Sequence, residues 1–456
     1  MRPIDAVRDR ALAGTEGGRI LALPHGPGLG ILSQGDLERL VERVRRALAD
    51  RGLELPSSGA PGLVLAGREP ACDLPIDGRT GWLGLAWPAA EIVELGTDAR
   101  RAAGIEDLER AALLADALPQ VGVVGPAVRA LDVPEPVRPL RELHALLNRT
   151  TKHVLTEVPR DEATAEAVVE IARILATEEG LRGRPPLSAL APAEGLQGER
   201  LEAAVALARA GLPLGLVVEP ALAESLAVTL ANALEQALGA AARVLGRVPE
   251  ARLFLAARVL RTGAHRVPAG SAALRLQMAF VQVAHHLGFA AGVEALATGS
   301  RASDWQAGAE GGLGMTAAWM TGPDLVLGAG LRDGGRTFSP VGLLLDTEAF
   351  DLVRPIPLGI AVDEETLAVE VIEEVGPGGH FLGEPHTLRH MRETWTSRFM
   401  DRDTWETWEG KGRPEPPDHA RERAAELLST HEPAPLPPDV DARLREVIAA
   451  HERRGD

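Results

Sequence analysis

The chain has 456 residues, with 48 basic and 65 acidic side chains, and therefore a formal net charge of −17. This excess of acidic residues argues against a nucleic-acid partner, whose phosphates require basic patches, and suits cations or basic partners. An apolar fraction of 45% is sufficient for a buried core. The absence of tyrosine excludes that residue as a general acid or as part of an aromatic cage.

Three further features bound the class of protein. Cys72 is the only cysteine, which excludes an intrachain disulfide and makes a cysteine-based metal site implausible. The first residues, MRPIDAVRDRALAG, are too polar for a secretory leader, and no uncharged apolar run is long enough to span a membrane. These features predict a cytoplasmic protein with no membrane partner.

The N-terminal part, residues 1–104, is predicted to be an extension with helical and β structure. An amphipathic run over 36–52 predicts a helix that begins with Asp36 as its N-cap and stops at Gly52. Residues 54–95 combine many glycines and prolines with short apolar pieces, a composition typical of small β structure.

From residue 105 onward, helical and apolar strand patterns alternate, which predicts βα units and a parallel sheet. Helices are predicted at 105–118, 161–179, 198–210, 223–246, 271–287, 305–321 and 340–353, and strands at 120–127, 186–192, 211–220, 252–259, 289–296 and 323–330. Six clear repeats favour an α/β fold of the (β/α)8 TIM-barrel type over residues 105–395, with further strands in weaker pattern. A doubly wound sheet is disfavoured, because Gly26 and Gly28 are followed by Ile31 where a dinucleotide fingerprint needs glycine.

The C-terminal part, residues 396–456, changes character and is predicted to be a helical arm. A linker at 410–420 precedes a short helix at 420–429, and a proline-rich stretch precedes a charged helix at 441–453. An arm of this kind wraps either its own barrel or a neighbouring subunit, and we expect a homo-oligomer.

Functional groups of a barrel lie at the carboxyl ends of the strands and in the loops that follow. These positions hold mostly charged residues and one tryptophan, which together predict an acidic mouth for a cationic substrate. The strand-end candidates are Glu219, Arg258, Glu294, Asp304, Trp305, Gln306, Glu310, Arg332 and Asp333. Each could instead be a rim charge or a helix cap. Asp304→Ala is expected to weaken cation binding, and Trp305 is the strongest candidate for a cage wall.

Three histidines, His380, His386 and His390, lie in the segment GPGGHFLGEPHTLRH (376–390). Their spacing would allow a zinc site, since His386 and His390 share a helix face, but no cysteine and no HExxH motif accompanies them. Helix capping or packing is the simpler interpretation. We therefore assign no metal, and we place His386 among the candidate substrate-binding residues.

Several long blocks resemble the trimethylamine methyltransferase family, including its members without pyrrolysine, such as the glycine betaine methyltransferases. The matching blocks are SDWQAGAE (303–310), GAGLRDGGRTFS (328–339), LLLDTEAF (343–350), GIAVDEETLAVEVIEEVGPGGHFLGEPHTLRHMRETW (359–395) and DRDTWETWEGKG (401–412). Weaker similarity covers most of the chain from residue 105 onward.

The resemblance implies a TIM barrel that moves a methyl group from an amine to the Co(I) of a corrinoid. The corrinoid would be carried by a separate cognate protein, and this chain would bind none tightly itself. Because cobalt attacks the methyl group and a neutral amine leaves, no protein nucleophile or general acid is needed. The chain's part would be to position a small cationic methyl donor in an acidic or aromatic pocket.

Two departures from the family pattern bear on the substrate. The loop at 295–304, where members that use methylamines would carry pyrrolysine, contains only standard residues. This favours a quaternary, betaine-like amine over trimethylamine. After Glu219, Asn232 stands where the family pattern has glycine. Two alternatives stay open: a zinc-dependent hydrolase or lyase built on the three histidines, and a non-catalytic scaffold that docks a corrinoid protein.

Overall fold

The computed structural model describes residues 20–21, 31–54, 63–76, 80–221, 223, 225–259, 270–296, 298–356, 360–391 and 396–455. Among the described residues, no helix is long and apolar enough to cross a membrane.

Eight short strands form a closed parallel barrel in which each strand pairs with the next and the last pairs with the first. They are β1 (Thr80–Leu85), β2 (Val121–Val124), β3 (His153–Glu157), β4 (Leu187–Pro192), β5 (Leu214–Val218), β6 (Leu253–Ala257), β7 (Ala290–Val293) and β8 (Leu325–Leu327). Every residue of β2, β5, β6 and β8 is buried, because helices cover the outer face while side chains fill the interior. The predicted (β/α)8 barrel is confirmed.

A helix follows each strand, and among the described residues one further helix precedes the barrel. These helices are α1 (Gln34–Ala49), α2 (Ile105–Ala117), α3 (Arg138–Arg149), α4 (Glu162–Leu175), α5 (Gly198–Arg209), α6 (Leu226–Leu245), α7 (Ser271–His286), α8 (Trp305–Thr321) and α9 (Pro340–Val353). Asp161 caps α4 by accepting from the Thr164 amide, as predicted. For α1 the predicted cap is wrong: Ser33 accepts from the amide of Asp36, which lies inside the first turn.

The barrel begins earlier in the chain than the predicted boundary at residue 105. Strand β1 lies inside the range assigned to the extension, and it pairs with both β2 and β8 to close the ring. Its sequence TGWLGL has two glycines and little apolar periodicity, which hid it in the sequence. Helix α1 packs against α6, where Arg43 pairs with Glu235 across 3.1 Å, so this part of the extension is docked on the barrel.

The C-terminal arm wraps the barrel of its own chain. Helix α10 (Pro416–Thr430) packs on α9 and α2, and helix α11 (Pro438–Gly455) packs on α4. Small and aliphatic side chains form the buried faces of these helices: Ala420, Ala424, Leu427, Leu444 and Ile448. Polar contacts fix the register, including His431 Nε2 to Asp116 Oδ2 at 2.8 Å and His144 Nε2 to Asp441 Oδ1 at 2.7 Å.

Between α9 and the arm lies an excursion, defined here as residues 360–391. It holds three short helices, Glu364–Leu367, Val369–Val375 and Pro385–His390, and adds nothing to the ring. None of its side chains is buried. The predicted barrel range of 105–395 therefore extends past the last barrel helix, which ends at Val353.

Candidate active site at the barrel mouth

Three of the predicted residues lie directly after barrel strands and are brought together at the carboxyl end of the barrel. Glu219 follows β5, Arg258 follows β6 and Glu294 follows β7. The Arg258 side chain lies between the two carboxylates, with Nε 3.2 Å from Glu294 Oε1 and Nη1 3.4 Å from Glu219 Oε1. Glu294 is fully buried and Arg258 is 8% exposed, so this ion pair is largely removed from water.

The fourth member of the group is Trp87, which lies two residues after β1. The Arg258 guanidinium carbon is 5.5 Å from the centroid of its ring, a cation–π contact. Trp87 is 5% exposed, and its indole N–H has no acceptor among the described residues. Its φ of 63° is unusual for so bulky a side chain, and backbone strain of this kind is concentrated at functional sites. We call Trp87, Glu219, Arg258 and Glu294 the mouth cluster.

Two glycines of the loop after β8 let the backbone approach the mouth cluster. A Cβ on Gly335 would lie 2.5 Å from Arg258 Nη2, and one on Gly328 would lie 3.2 Å from Glu294 Cγ. Both glycines also have positive φ, at 83° and 87°. Larger residues at these two positions would push the guanidinium and the carboxylate out of place.

Two candidates near the start of α8 form hydrogen bonds that hold the preceding loop in place. Asp304 caps α8 by accepting from the Ala307 amide at 3.0 Å, and it also accepts from Ser300 Oγ at 2.8 Å. These hydrogen bonds lower the pKa of Asp304. Glu310 accepts from the Gly299 amide at 2.8 Å and from Gln306 at 2.9 Å.

Trp305 is 86% exposed at the start of α8. The tryptophan that contacts Arg258 at the mouth is Trp87. The sequence signal for Trp87 was its place just after TGWLGL, which could be used only once that segment was known to be a barrel strand.

Asp304→Ala is therefore expected to cost about 1 kcal/mol of stability through loss of a helix cap, and to leave ligand affinity unchanged. Urea unfolding and calorimetric titration with a quaternary amine measure the two effects. A loss of affinity larger than threefold would show that Asp304 contributes to ligand binding.

Arg332 and Asp333 hold the loop after β8 in place. Arg332 is 2% exposed and forms two hydrogen bonds with Asp346, at 3.2 and 3.1 Å, and one with the Gly342 carbonyl. Burial raises the pKa of Asp346, while Arg332 opposes that shift. Asp333 accepts from Arg100 Nη1 at 3.3 Å, and its amide donates to the Ser300 carbonyl at 2.7 Å. Both residues thus fasten the mouth loops to the scaffold.

A second charged group, which sequence reasoning missed, lies after β2 and β3. Arg129 Nη2 is 2.9 Å from Oε2 of Glu157, the last residue of β3. Nearby, Glu142 is buried and accepts from the Ala130 amide at 2.7 Å. The mouth is therefore not simply acidic: its carboxylates at the ends of β3, β5 and β7 are paired with two guanidiniums, and only the carboxylate after β7 is fully buried.

Burial raises the pKa of Glu142 from 4.5 to about 7, although its hydrogen bond from Ala130 and the charge of Arg129 oppose the shift. With a raised folded-state pKa, the group's contribution to stability is fully present below pH 4.5 and is lost as the pH rises through about 7. Glu142→Gln keeps a hydrogen-bond acceptor and cannot ionise. We expect it to be more stable than the parent by about 2 kcal/mol at pH 8.5 and nearly equal at pH 4.5 in urea unfolding. A difference that does not vary with pH would contradict this assignment.

The histidines lie outside the ring of strand ends, in the exposed excursion. His386 Nε2 is 2.8 Å from the Glu365 carbonyl oxygen, and His390 Nε2 is 2.8 Å from Glu365 Oε1. The zinc alternative would group His380 with His386 and His390, but His380 is not in the cluster that the structure forms. Glu365, from an earlier helix, takes that place in the cluster that the structure forms.

In (β/α)8 barrel enzymes the functional groups lie at the carboxyl ends of the strands, where this chain places charged and aromatic side chains. The chain belongs to the trimethylamine methyltransferase (MTTB) family, whose sequence model matches residues 55–456. The resemblance drawn from the sequence blocks is thereby confirmed.

Individual relatives agree with this membership. The chain is 28% identical over 438 residues to trimethylamine methyltransferase MttB of Desulfitobacterium hafniense (strain DSM 10664 / DCB-2), covering 92% of this chain and 87% of the relative. It is 29% identical over 428 residues to glycine betaine methyltransferase of Desulfitobacterium hafniense (strain Y51), covering 90% and 88%. Among solved structures, the Methanosarcina barkeri monomethylamine methyltransferase (MtmB) matches with a TM-score of 0.48 at 10% identity, covering 95% and 93%.

Proposed function

We propose that this protein transfers a methyl group from a quaternary, betaine-like amine to the Co(I) of a corrinoid carried by a separate protein. The observation that carries the proposal is the chemistry of the mouth cluster. There, a cationic side chain is held over a tryptophan ring and between two carboxylates at the functional end of a methyltransferase-family barrel. The same groups suit a cationic donor.

A zwitterionic donor matches both signs of charge in the cluster. The carboxylate of a betaine would pair with Arg258, whose planar guanidinium suits bidentate binding. The quaternary ammonium group would then contact the Trp87 ring and the carboxylates of Glu219 and Glu294. Because these side chains now contact one another, we expect the donor to replace part of the Arg258–carboxylate pairing when it binds.

The corrinoid belongs to the partner in this proposal. In the described structure, Trp87, Arg258 and Glu294 are each less than 9% exposed, so these three side chains leave little surface for a macrocycle to contact. When presented by its own protein, the corrinoid supplies the nucleophile for the methyl carbon. The C–N electron pair leaves with a neutral tertiary amine, so the chain needs to move no proton. Its residues bind the donor, orient the reacting C–N bond outward and exclude water.

The choice of donor is supported by the chain itself. The similar proteins include both a trimethylamine methyltransferase and a glycine betaine methyltransferase, which leaves the choice to other features. The loop at 295–304 contains only standard residues. In its described part, that loop is fastened by Glu310 and Asp304. Because family members that use methylamines would carry pyrrolysine in this loop, its standard residues favour the quaternary amine.

The deciding experiment mixes the purified protein with a corrinoid-binding protein in its Co(I) state and with either glycine betaine or trimethylamine. Dimethylglycine produced from glycine betaine is measured by mass spectrometry, and the corrinoid is followed by absorbance. We expect turnover with glycine betaine or another quaternary amine and none with trimethylamine. Turnover with trimethylamine alone would overturn the choice of donor.

Binding of the corrinoid protein without turnover of any quaternary amine would favour the docking-scaffold alternative. A cognate corrinoid protein and a homo-oligomeric state both stay predictions.

A further inference from the structure

The excursion, residues 360–391, has no buried core of its own. Its three helices have four, seven and six residues, and none of its side chains is buried. Several large apolar residues are well exposed, among them Ile360 at 90% and Leu382 at 79%. Helices this short are marginal in water without tertiary packing, and small units without a core usually depend on a disulfide or a metal. A disulfide is impossible, since the only cysteine is Cys72.

One side-chain cluster links the two ends of the excursion. Glu365 comes from the helix Glu364–Leu367, and His386 and His390 come from the helix Pro385–His390. One donor atom from each residue can be chosen so that all three lie within 4.8 Å of one another. The imidazole rings stack with their centroids 4.3 Å apart, as expected for residues four apart on one helix face.

We propose that Glu365, His386 and His390 form a structural Zn²⁺ site that clips the excursion into its folded shape. Two imidazole nitrogens and one carboxylate oxygen are a donor set that zinc prefers, and water would complete a tetrahedron. Two donors on one tetrahedral zinc ion lie about 3.4 Å apart, so the cluster needs only a small contraction.

Hydrogen bonds already hold the three residues close to one another before zinc binds. In the described structure, His390 Nε2 already lies 2.8 Å from a Glu365 carboxylate oxygen, and His386 is held by the Glu365 backbone carbonyl. Zinc would replace the His390–Glu365 hydrogen bond with two coordinate bonds to the same groups. By joining residues 21 positions apart, the ion would close a long loop and reduce the conformational freedom of the unfolded excursion.

The site shares no residue with the mouth cluster, and its test does not depend on methyl transfer. The full chain is freed of metal by a chelator, dialysed and titrated with ZnCl₂ by calorimetry. We expect one zinc per chain with a dissociation constant in the micromolar range or below. Co²⁺ in place of zinc should give the visible absorption of a four-coordinate ion. Zinc should also slow proteolytic cleavage within residues 360–391.

The variants His386→Ala and His390→Ala should each weaken zinc binding at least about 30-fold, and Glu365→Gln should weaken it as well. His380→Ala is the matched control, because it removes an exposed imidazole from the same excursion without touching the cluster. It should bind zinc as the parent does. Circular dichroism without zinc checks that every variant folds. Stoichiometric zinc in His386→Ala, an equal loss in His380→Ala, or binding weaker than millimolar in the parent would overturn the proposal.

Discussion

Replacement of Arg258 by methionine is expected to destabilise the fold by about 3–5 kcal/mol. Arg258 donates to Glu294, which is fully buried, and its removal leaves that charge without the guanidinium. Methionine fills much of the same volume, so the effect reports the charge and not a cavity. Urea unfolding at neutral pH measures the loss.

The double variant Arg258→Met/Glu294→Gln provides the control for this prediction. It removes both charges, so it should recover most of the lost stability and show a large coupling energy. Neither variant should transfer a methyl group efficiently, because the proposed partner of the donor carboxylate is gone from both. If Arg258→Met costs less than 1 kcal/mol, Glu294 does not depend on that guanidinium, and the mouth cluster is not the tightly coupled unit described above.

Trp87→Leu is expected to lower kcat/KM for a quaternary amine by about 30-fold. Leucine keeps an apolar side chain at the position but has no π face, and a cation–π contact shielded from water is worth about 2 kcal/mol. Calorimetry should show a higher dissociation constant for the amine in Trp87→Leu than in the parent. The corrinoid assay described above supplies the kinetic readout.

Trp305→Leu is the matched control, since it makes the same substitution at the tryptophan that the sequence alone favoured. Trp305 is 86% exposed, so kcat/KM and amine affinity should stay within about twofold of the parent. An effect in Trp305→Leu as large as that in Trp87→Leu would indicate that Trp305 contacts the cationic donor. It would contradict the role proposed for Trp87.

Much of the barrel could be predicted because its strands and helices differ in local pattern. Strands β5 and β6 are short uninterrupted apolar runs, and α4 begins at a recognisable Asp161 cap. Strand β1 and the α3–β3 pair escaped prediction. Two glycines weaken the strand pattern of β1, and the apolar residues of α3 run almost directly into those of β3 through LHALLNRTTKHVL. Only closure of the barrel identifies these segments, since an eight-stranded ring needs them.

The candidate site, like the fold, could be predicted only in part. Glu219, Arg258 and Glu294 were found from sequence because a residue that follows a parallel strand must lie at the carboxyl face. Their pairing with one another was not predictable, because it depends on neighbouring strands in the closed ring. Asp304 and Glu310 carry the same charge as Glu219 and also follow a strand, yet they serve as a helix cap and a loop fastener. Charge and spacing alone do not distinguish these roles.

The sequence by itself determined the family, the barrel class and three charged residues of the mouth, because local periodicity and long motif blocks carry that information. The tertiary structure alone decided which tryptophan contacts Arg258, how the charges at the mouth are paired and which residue lies close to His386 and His390. Each of these depends on side chains far apart in the chain: Trp87 is 171 positions from Arg258, and Glu365 is 21 from His386. Contacts over such separations are set by how the elements pack and leave no periodic trace in the sequence.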